Sequence, residues 1–190
     1  MKSESRKKEA ITVDIFQAIT GRRSIRKYKP TPVEPGKIKQ VLNLARLAPS
    51  WKNLQCWRFL VLTEPERISR LLEAFPDDNP GKKAIASAPC IVVVCADPSE
   101  SGVENGIEYY IADAALAFDH LCLAAYGLGL GTCWMGWYDE ERIKQALGIP
   151  AAIKVVGLTP LGYPDQSPNP RPRKELAEVA FSEEWGNRRW

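Results

Sequence analysis

Histidine occurs once in the 190 residues, as His120, and the five cysteines form no C-x-x-C pair. A zinc site needs several spaced imidazoles or thiolates, and this chain offers no such set. A Ser–His–Asp or Cys–His arrangement would have to use His120, and no nucleophile elbow stands near it. Cys56, Cys90, Cys95, Cys122 and Cys133 are odd in number and mostly sit inside apolar runs. They read as small buried hydrophobes in a reducing compartment rather than as a disulfide framework. Long apolar runs are missing too: no window approaches 18 uninterrupted apolar residues, so no membrane span is expected. The N-terminal MKSESRKKEA is polar and no apolar h-region follows it. No signal peptide is readable, and a cytoplasmic location is expected. An excess of one charge is equally absent. Lys and Arg number 26 against 23 Asp and Glu, a net +3, which is too little for a nucleic-acid-binding face.

With 45% hydrophobic residues, the chain can build a core. One globular domain over residues 1–190 is expected, with a polar tail at 1–10 and a proline-rich, charged arm at 163–190. Thr12 is placed to cap a first helix whose Ile15, Phe16 and Ile19 share a face, with Gly21 at its end. Pro35 opens a second helix bearing Ile38, Val41, Leu42 and Ala45, and Pro49 ends it. The loop PSWKNLQCW (49–57) feeds a strand over Phe59–Leu62. Thr63 and Glu66 have capping-box spacing for a helix carrying Ile68, Leu71 and Leu72. PDDNPG (76–81) is a turn, and CIVVVCA (90–96) reads as a strand buried on both faces. Residues 107–126 form one long helix, apolar on most sides, which belongs at a domain centre or a subunit interface. His120 on it reads as a core or interface histidine. A strand at 132–137, a helix capped by Asp139 and running to Leu147, and a strand at 153–161 complete the pattern.

GLGLG (127–131) has the glycines of a dinucleotide loop but the wrong context. The order here is helix, glycines, strand, the reverse of a Rossmann turn, so the glycines read as the end of the long helix. RRSIRKYKP (22–30) packs five cations into nine positions. Arg22, Arg23 and Ser24 put guanidinium forks beside a hydroxyl, the donor set that a phosphate monoester requires. Arg171 and Arg173, held extended by prolines, form a second fork in the tail. On residues alone, each fork is either solvated surface or an anion site. Asn53 and Gln55 carry two-sided amides able to read a heterocycle edge. Trp51, Trp57, Trp134 and Trp137 offer planar apolar surface, which core or interface packing would also use.

Helix–RRSIRKY, then P-S-x-x-N-x-Q-x-W before a strand, then LGLGTCWMGW, then RPRKELAEV: in this order, from Ile11 to Phe181, the chain resembles the nitroreductase family of FMN enzymes. The resemblance implies an α+β, three-layer sandwich, its mixed and mostly antiparallel sheet flanked by helices. It also implies a homodimer with FMN at the subunit interface and a C-terminal arm exchanged between subunits. Arg22 and Ser24 would hold the phosphate, with Arg173 and Arg171 on its other side and Arg23 along the ribityl chain. Arg26 would approach the N1/O2 edge, where reduction builds negative charge. Asn53 and Gln55 would bond the pyrimidine edge. Pro49, Ser50 and Trp51 would come from the partner subunit, and Trp134, Met135 and Gly136 would line the flavin face. Lys27 and Lys29 are left as solvated charges. NADH or NADPH would reduce the flavin, and a small acceptor such as a nitroaromatic or quinone would reoxidise it. No side chain is then needed as a catalytic acid or base, because the cofactor carries the chemistry. The family's usual proline is Cys56 here, which is expected to alter the loop's stiffness rather than its ligands. A chain this short also lacks a long insertion that could act as a substrate lid. Two other readings stay open: a flavin-binding protein without nicotinamide turnover, and an anion-binding module built on the basic run.

Overall fold

The structure, a computed structural model, describes residues 13–189. Strand β2 (Cys90–Ala96) is buried along its whole length, as its run of β-branched residues predicts. It pairs antiparallel with β1 (Trp57–Leu62) on one side and with β6 (Lys154–Gly162) on the other, and β5 (Gly131–Thr132) extends the sheet beyond β6. A single parallel bridge from Ser24 to Thr132 makes the sheet mixed, though mostly antiparallel. Alternate side chains of β2 point to opposite faces. Ile91, Val93 and Cys95 pack with Ile68 and Leu71 of α3 (Pro65–Leu72), Ile85 of α4 (Gly81–Ser87) and Ile143 of α6 (Glu140–Leu147). Cys90, Val92, Val94 and Ala96 pack with Val41 and Ala45 of α2 (Pro35–Ala45) and with Ala114, Phe118 and Leu121 of α5 (Tyr109–Gly127). Helices thus cover both faces of the sheet, and the fold is the expected α+β sandwich.

Local chemistry sets the element ends, and several differ from the sequence reading. Helix α1 (Ile15–Gly21) starts at Asp14, whose carboxylate accepts the Gln17 N–H at 2.8 Å while Gln17 returns a bond to the Asp14 N–H. Thr12 lies outside the described residues. The face formed by Ile15, Phe16 and Ile19 is exposed, at 55%, 77% and 59%. The expected Thr63–Glu66 capping box does not form. Glu64 is the N-cap of α3 without a side-chain bond, and Pro65, needing no N–H partner, occupies the first turn. Residues 107 and 108 leave the expected long helix for a hairpin, β3 (Val103–Glu104) with β4 (Ile107–Glu108). Its turn is Asn105–Gly106, both with positive φ, the pairing that a tight hairpin favours. The predicted strand at 132–137 is reduced to Gly131–Thr132. The Cys133 N–H goes to the Thr159 side-chain hydroxyl at 2.9 Å, and pairing resumes only at Met135 with Leu158. GLGLG does end α5: Gly129 takes φ +73°, and the Leu130 N–H returns to the Ala125 carbonyl at 2.8 Å. Among the described residues, no helix is long and apolar enough to cross a membrane.

All five cysteines are buried and unpaired. Burial pushes the Cys90 thiol up to about 12 and those of Cys95 and Cys122 up to about 11. Cys56 rises to about 11 through burial and then the charge of Asp113. The native protein should therefore titrate close to zero thiols with a disulfide reagent at pH 8, and all five after denaturation. Thiols raised on folding favour the native state up to the ordinary thiol pKa, about 8.5, and that stability is lost as pH climbs toward about 11–12. Rapid labelling of the native protein at pH 8 would contradict the buried placement.

Candidate functional site

The basic run is built into the sheet's edge. Gly21, at the end of α1, packs directly against the Tyr126 ring of α5, a contact that any side chain at 21 would block. The chain then runs extended beside β5: the Ile25 N–H donates to the Thr132 carbonyl at 2.8 Å, and Ile25 fills the space left by Gly131. On its other side lies the start of the tail. The Lys29 N–H donates to Tyr163 O at 2.9 Å, the Asp165 N–H donates to Lys27 O at 2.9 Å, and Lys27 Nζ pairs with Asp165 at 2.9 Å. Lys27 is therefore paired rather than simply solvated, and it ties the tail to the run. Ile25 and Tyr28 point into the core, which leaves the polar members of the run toward solvent.

This arrangement brings the two ends of the sequence together. Arg22, Arg23, Ser24 and Arg26 face Arg171 and Arg173 across a cleft of about 480 Å³ that Gln166 and Asn169 also line. No carboxylate lines it among the described residues. Five guanidinium groups around one cleft repel each other unless an anion sits between them, so the donor set fits a phosphate monoester. Arg23 also caps α1 at its negative end, where its Nη1 donates to the carbonyls of Thr20 at 2.7 Å and Arg22 at 2.8 Å.

Cys133 lies within the field of Arg26 and Arg22. Burial raises its thiol pKa, while those cations and the Ser24 hydroxyl pull it back. Trp134, Met135 and Gly136 follow Cys133 in the chain but do not line the cleft. Trp134 is 43% exposed and stacks on Phe118 of α5, with centroids 3.8 Å apart. Met135 turns inward against Gly81, and both its backbone N–H and its carbonyl are bonded to Leu158, so it can offer a ligand a surface but no free main-chain donor.

The loop at 49–56 lies elsewhere and does not line the cleft. Trp51 rests on Tyr109, centroids 4.4 Å apart, and lies against Gly102, which has no Cβ to displace it. The main-chain N–H of Trp51 donates to Asp113 Oδ1 at 2.8 Å, and the main-chain N–H of Gln55 donates to Ser50 Oγ at 3.0 Å. Lys52, Asn53 and Gln55 all have positive φ, at 47°, 60° and 57°. Outside glycine such a conformation costs about 1–2 kcal/mol per residue, least for Asn, and persists only where neighbours enforce it. Asn53 and Gln55 are exposed, and the Gln55 Nε2 donates to Asn53 O at 3.1 Å. Pro49 is exposed and Ser50 half-buried.

Within one chain, then, the arginine cleft and the 49–56 loop attach to opposite ends of α5. Tyr126 and Asp113, the two attachment points, are separated by about 20 Å at 1.5 Å of rise per residue. Asp113 is the residue that reading the sequence missed. It is 3% exposed on the buried side of α5, and the signal was legible: a lone carboxylate among Tyr110, Ala114 and Ala117 must find donors. Gln166 and Asn169, the amides in the cleft wall, carried no comparable signal.

A model of the family described as "Nitroreductase family" matches residues 19–86 and 77–163. A protein of Methanothermobacter thermautotrophicus, named provisionally as an NADH dehydrogenase/NAD(P)H nitroreductase, is 34% identical over 163 residues, covering 84% of this chain and 82% of its own. The crystal structure of a nitroreductase family protein from Clostridium novyi NT superposes with a TM-score of 0.78 at 34% identity, covering 93% of this chain and 97% of that one. An FMN-dependent nitroreductase from Clostridium difficile R20291 does so with a TM-score of 0.78 at 28% identity, covering 90% of this chain and 100% of that one. A cleft that joins the two basic forks, on this sandwich and with these relatives, gives the conclusion that the chain belongs to the nitroreductase family.

Proposed function

We propose that the protein is an FMN-dependent oxidoreductase that uses NADH or NADPH to reduce nitroaromatic, quinone or similar small acceptors. One observation carries the reading: arginines from residues 22–26 and 171–173 meet at a single cleft with a serine and no carboxylate. Arg22 and Ser24 bind one side of the FMN phosphate, and Arg173 and Arg171 bind the other. Arg23, fixed by its bonds to the end of α1, lies along the ribityl chain. Arg26 supplies a cation at the redox end of the site, where it favours the reduced, more negative form of the ring. The Trp134 ring and the main chain of Met135 and Gly136 form the wall toward the flavin. When bound, FMN supplies hydride transfer at N5, from the nicotinamide to the cofactor and from the cofactor to the acceptor. No side chain of this protein is assigned as an acid or base.

The loop at 49–56 completes the site from a second copy of the chain. About 20 Å of α5 separates it from its own arginine cleft, which favours donation across a subunit boundary. A homodimer also gives partners to the apolar faces that one chain leaves exposed: Ile15, Phe16 and Ile19 on α1, and Ile111 and Leu116 on α5. In that assembly the end of the arm beyond Arg173, with Leu176 and Val179 exposed on α7 (Leu176–Val179), crosses onto the partner.

The purified protein is expected to be a yellow dimer by absorbance and sedimentation, with flavin that bleaches when NADH or NADPH is added anaerobically. A colourless protein that binds no added FMN would sink this reading, while bound flavin indifferent to both nicotinamides would favour storage or sensing. Arg22→Ala and Arg173→Ala are each expected to weaken FMN binding by about 1.5–3 kcal/mol, the loss of a charge-assisted bond, read by flavin fluorescence. Unchanged affinity in both would remove the phosphate assignment. Arg26→Ala is expected to lower the flavin midpoint potential more than it lowers affinity. The reverse order, from potentiometry and titration together, would place Arg26 at the phosphate instead.

A further inference from the structure

We propose that Asp113 is a positioning residue whose buried carboxylate holds the 49–56 loop in its left-handed conformation before any cofactor arrives. The inference rests on the assignment of that loop to the FMN site. Asp113 Oδ1 accepts the Trp51 N–H at 2.8 Å, and Oδ2 accepts the Ser101 hydroxyl at 2.8 Å and the Cys56 thiol at 3.6 Å. Among the described residues no salt bridge reaches it. A carboxylate at 3% exposure without a cation is costly unless donors surround it, and here three do.

The placement of those donors gives the carboxylate its role. Trp51 and Cys56 are the two ends of the segment that contains Lys52, Asn53 and Gln55, three of the five described non-glycine residues with positive φ. One side chain therefore closes the segment at both ends. Neither Lys52 nor Gln55 has glycine's freedom, so the segment would relax once released. Ser101 joins the same carboxylate to the start of the β3–β4 hairpin, and Gly102, next to it, seats the Trp51 ring. Cys56 acquires a purpose here, since its thiol stays protonated and can donate where a proline could not. A loop held ready in this way presents the Asn53 and Gln55 amides in fixed directions, and binding then costs less ordering.

The test compares Asp113→Ala, Asp113→Asn and Ser101→Ala with the wild-type protein, using FMN titration and hydrogen exchange of the cofactor-free protein. Asp113→Ala is expected to weaken FMN binding about tenfold or more and to speed amide exchange at residues 51–55 by a similar factor, with β2 unaffected. Asp113→Asn keeps an oxygen for the Trp51 N–H and offers its NH₂ to the Ser101 hydroxyl, so it should stay within about threefold of wild type. Asparagine also keeps the volume of aspartate, so Ser101→Ala, which removes one donor and leaves that volume in place, separates anchoring from space-filling: wild-type affinity there is what a mere space-filler would give. Unchanged affinity and unchanged exchange in Asp113→Ala would overturn the proposal. If Asp113→Ala loses the protection of β2 as well, Ser101→Ala decides. A loss of about threefold or more in affinity with β2 intact then supports the anchor, and wild-type affinity overturns it. Failure of the cofactor reading itself looks different: the wild-type protein binds no FMN at all. If instead Arg22→Ala weakens FMN binding and Asp113→Ala does not, only the anchor fails.

Discussion

Burying seven consecutive residues of β2 requires a helical layer on each side of the sheet, because a strand that is apolar on both faces cannot leave either to water. The rest of the molecule answers that requirement. One face is covered by α3, α4 and α6, the other by α2 and α5, and the packing of α5 on the sheet fixes its axis. Both candidate half-sites hang on that axis, Gly21 against Tyr126 at one end and Trp51 on Asp113 at the other. The core thus sets the geometry of a site to which it contributes few side chains.

The cleft itself is a product of main-chain pairing. Residues 22–29 and 163–165 are far apart in sequence and are drawn together by the Lys29–Tyr163 and Lys27–Asp165 backbone bonds and by the parallel bridge to β5. Backbone bonds of this kind ignore side-chain charge, which is how five arginines can be assembled despite their repulsion. Glycine assists twice along this path. Gly21 admits the Tyr126 ring, and Gly131 admits Ile25.

Much of this could be read in the sequence wherever the relevant interaction is local. The β-branched run of β2, the Asp139 cap of α6, the proline opening α2 and the glycines closing α5 all formed as expected. Readings failed where a non-local partner competed. Thr159 diverts the Cys133 N–H in this way and shortens β5, whereas residues 107 and 108 were lost to a local signal, the Asn105–Gly106 hairpin turn, that the apolar run of the long helix masked. The PDDNPG turn was legible, but the seven-residue α4 after it was not, because so short a helix takes its stability from packing rather than from its own pattern. For the site, the two forks could be read as donor sets, yet their meeting in one cleft depends on pairing across more than a hundred residues. Asp113 needed the fold to show which donors its carboxylate had found.

The tail beyond Tyr163 adds no residue to any of the hydrophobic clusters, yet it supplies two of the five guanidinium groups in the cleft. The tail's share of the cleft is therefore separate from the core, whereas residues 22–28 serve both, with Ile25 and Tyr28 buried beside Arg22, Arg23 and Arg26. A proteolytic cut before Arg171 would remove two of the five guanidinium groups from the cleft without taking a side chain out of any hydrophobic cluster of the single chain. The converse holds for the buried strands, where a single lost methyl group would register in stability long before it registered in the charge of the cleft.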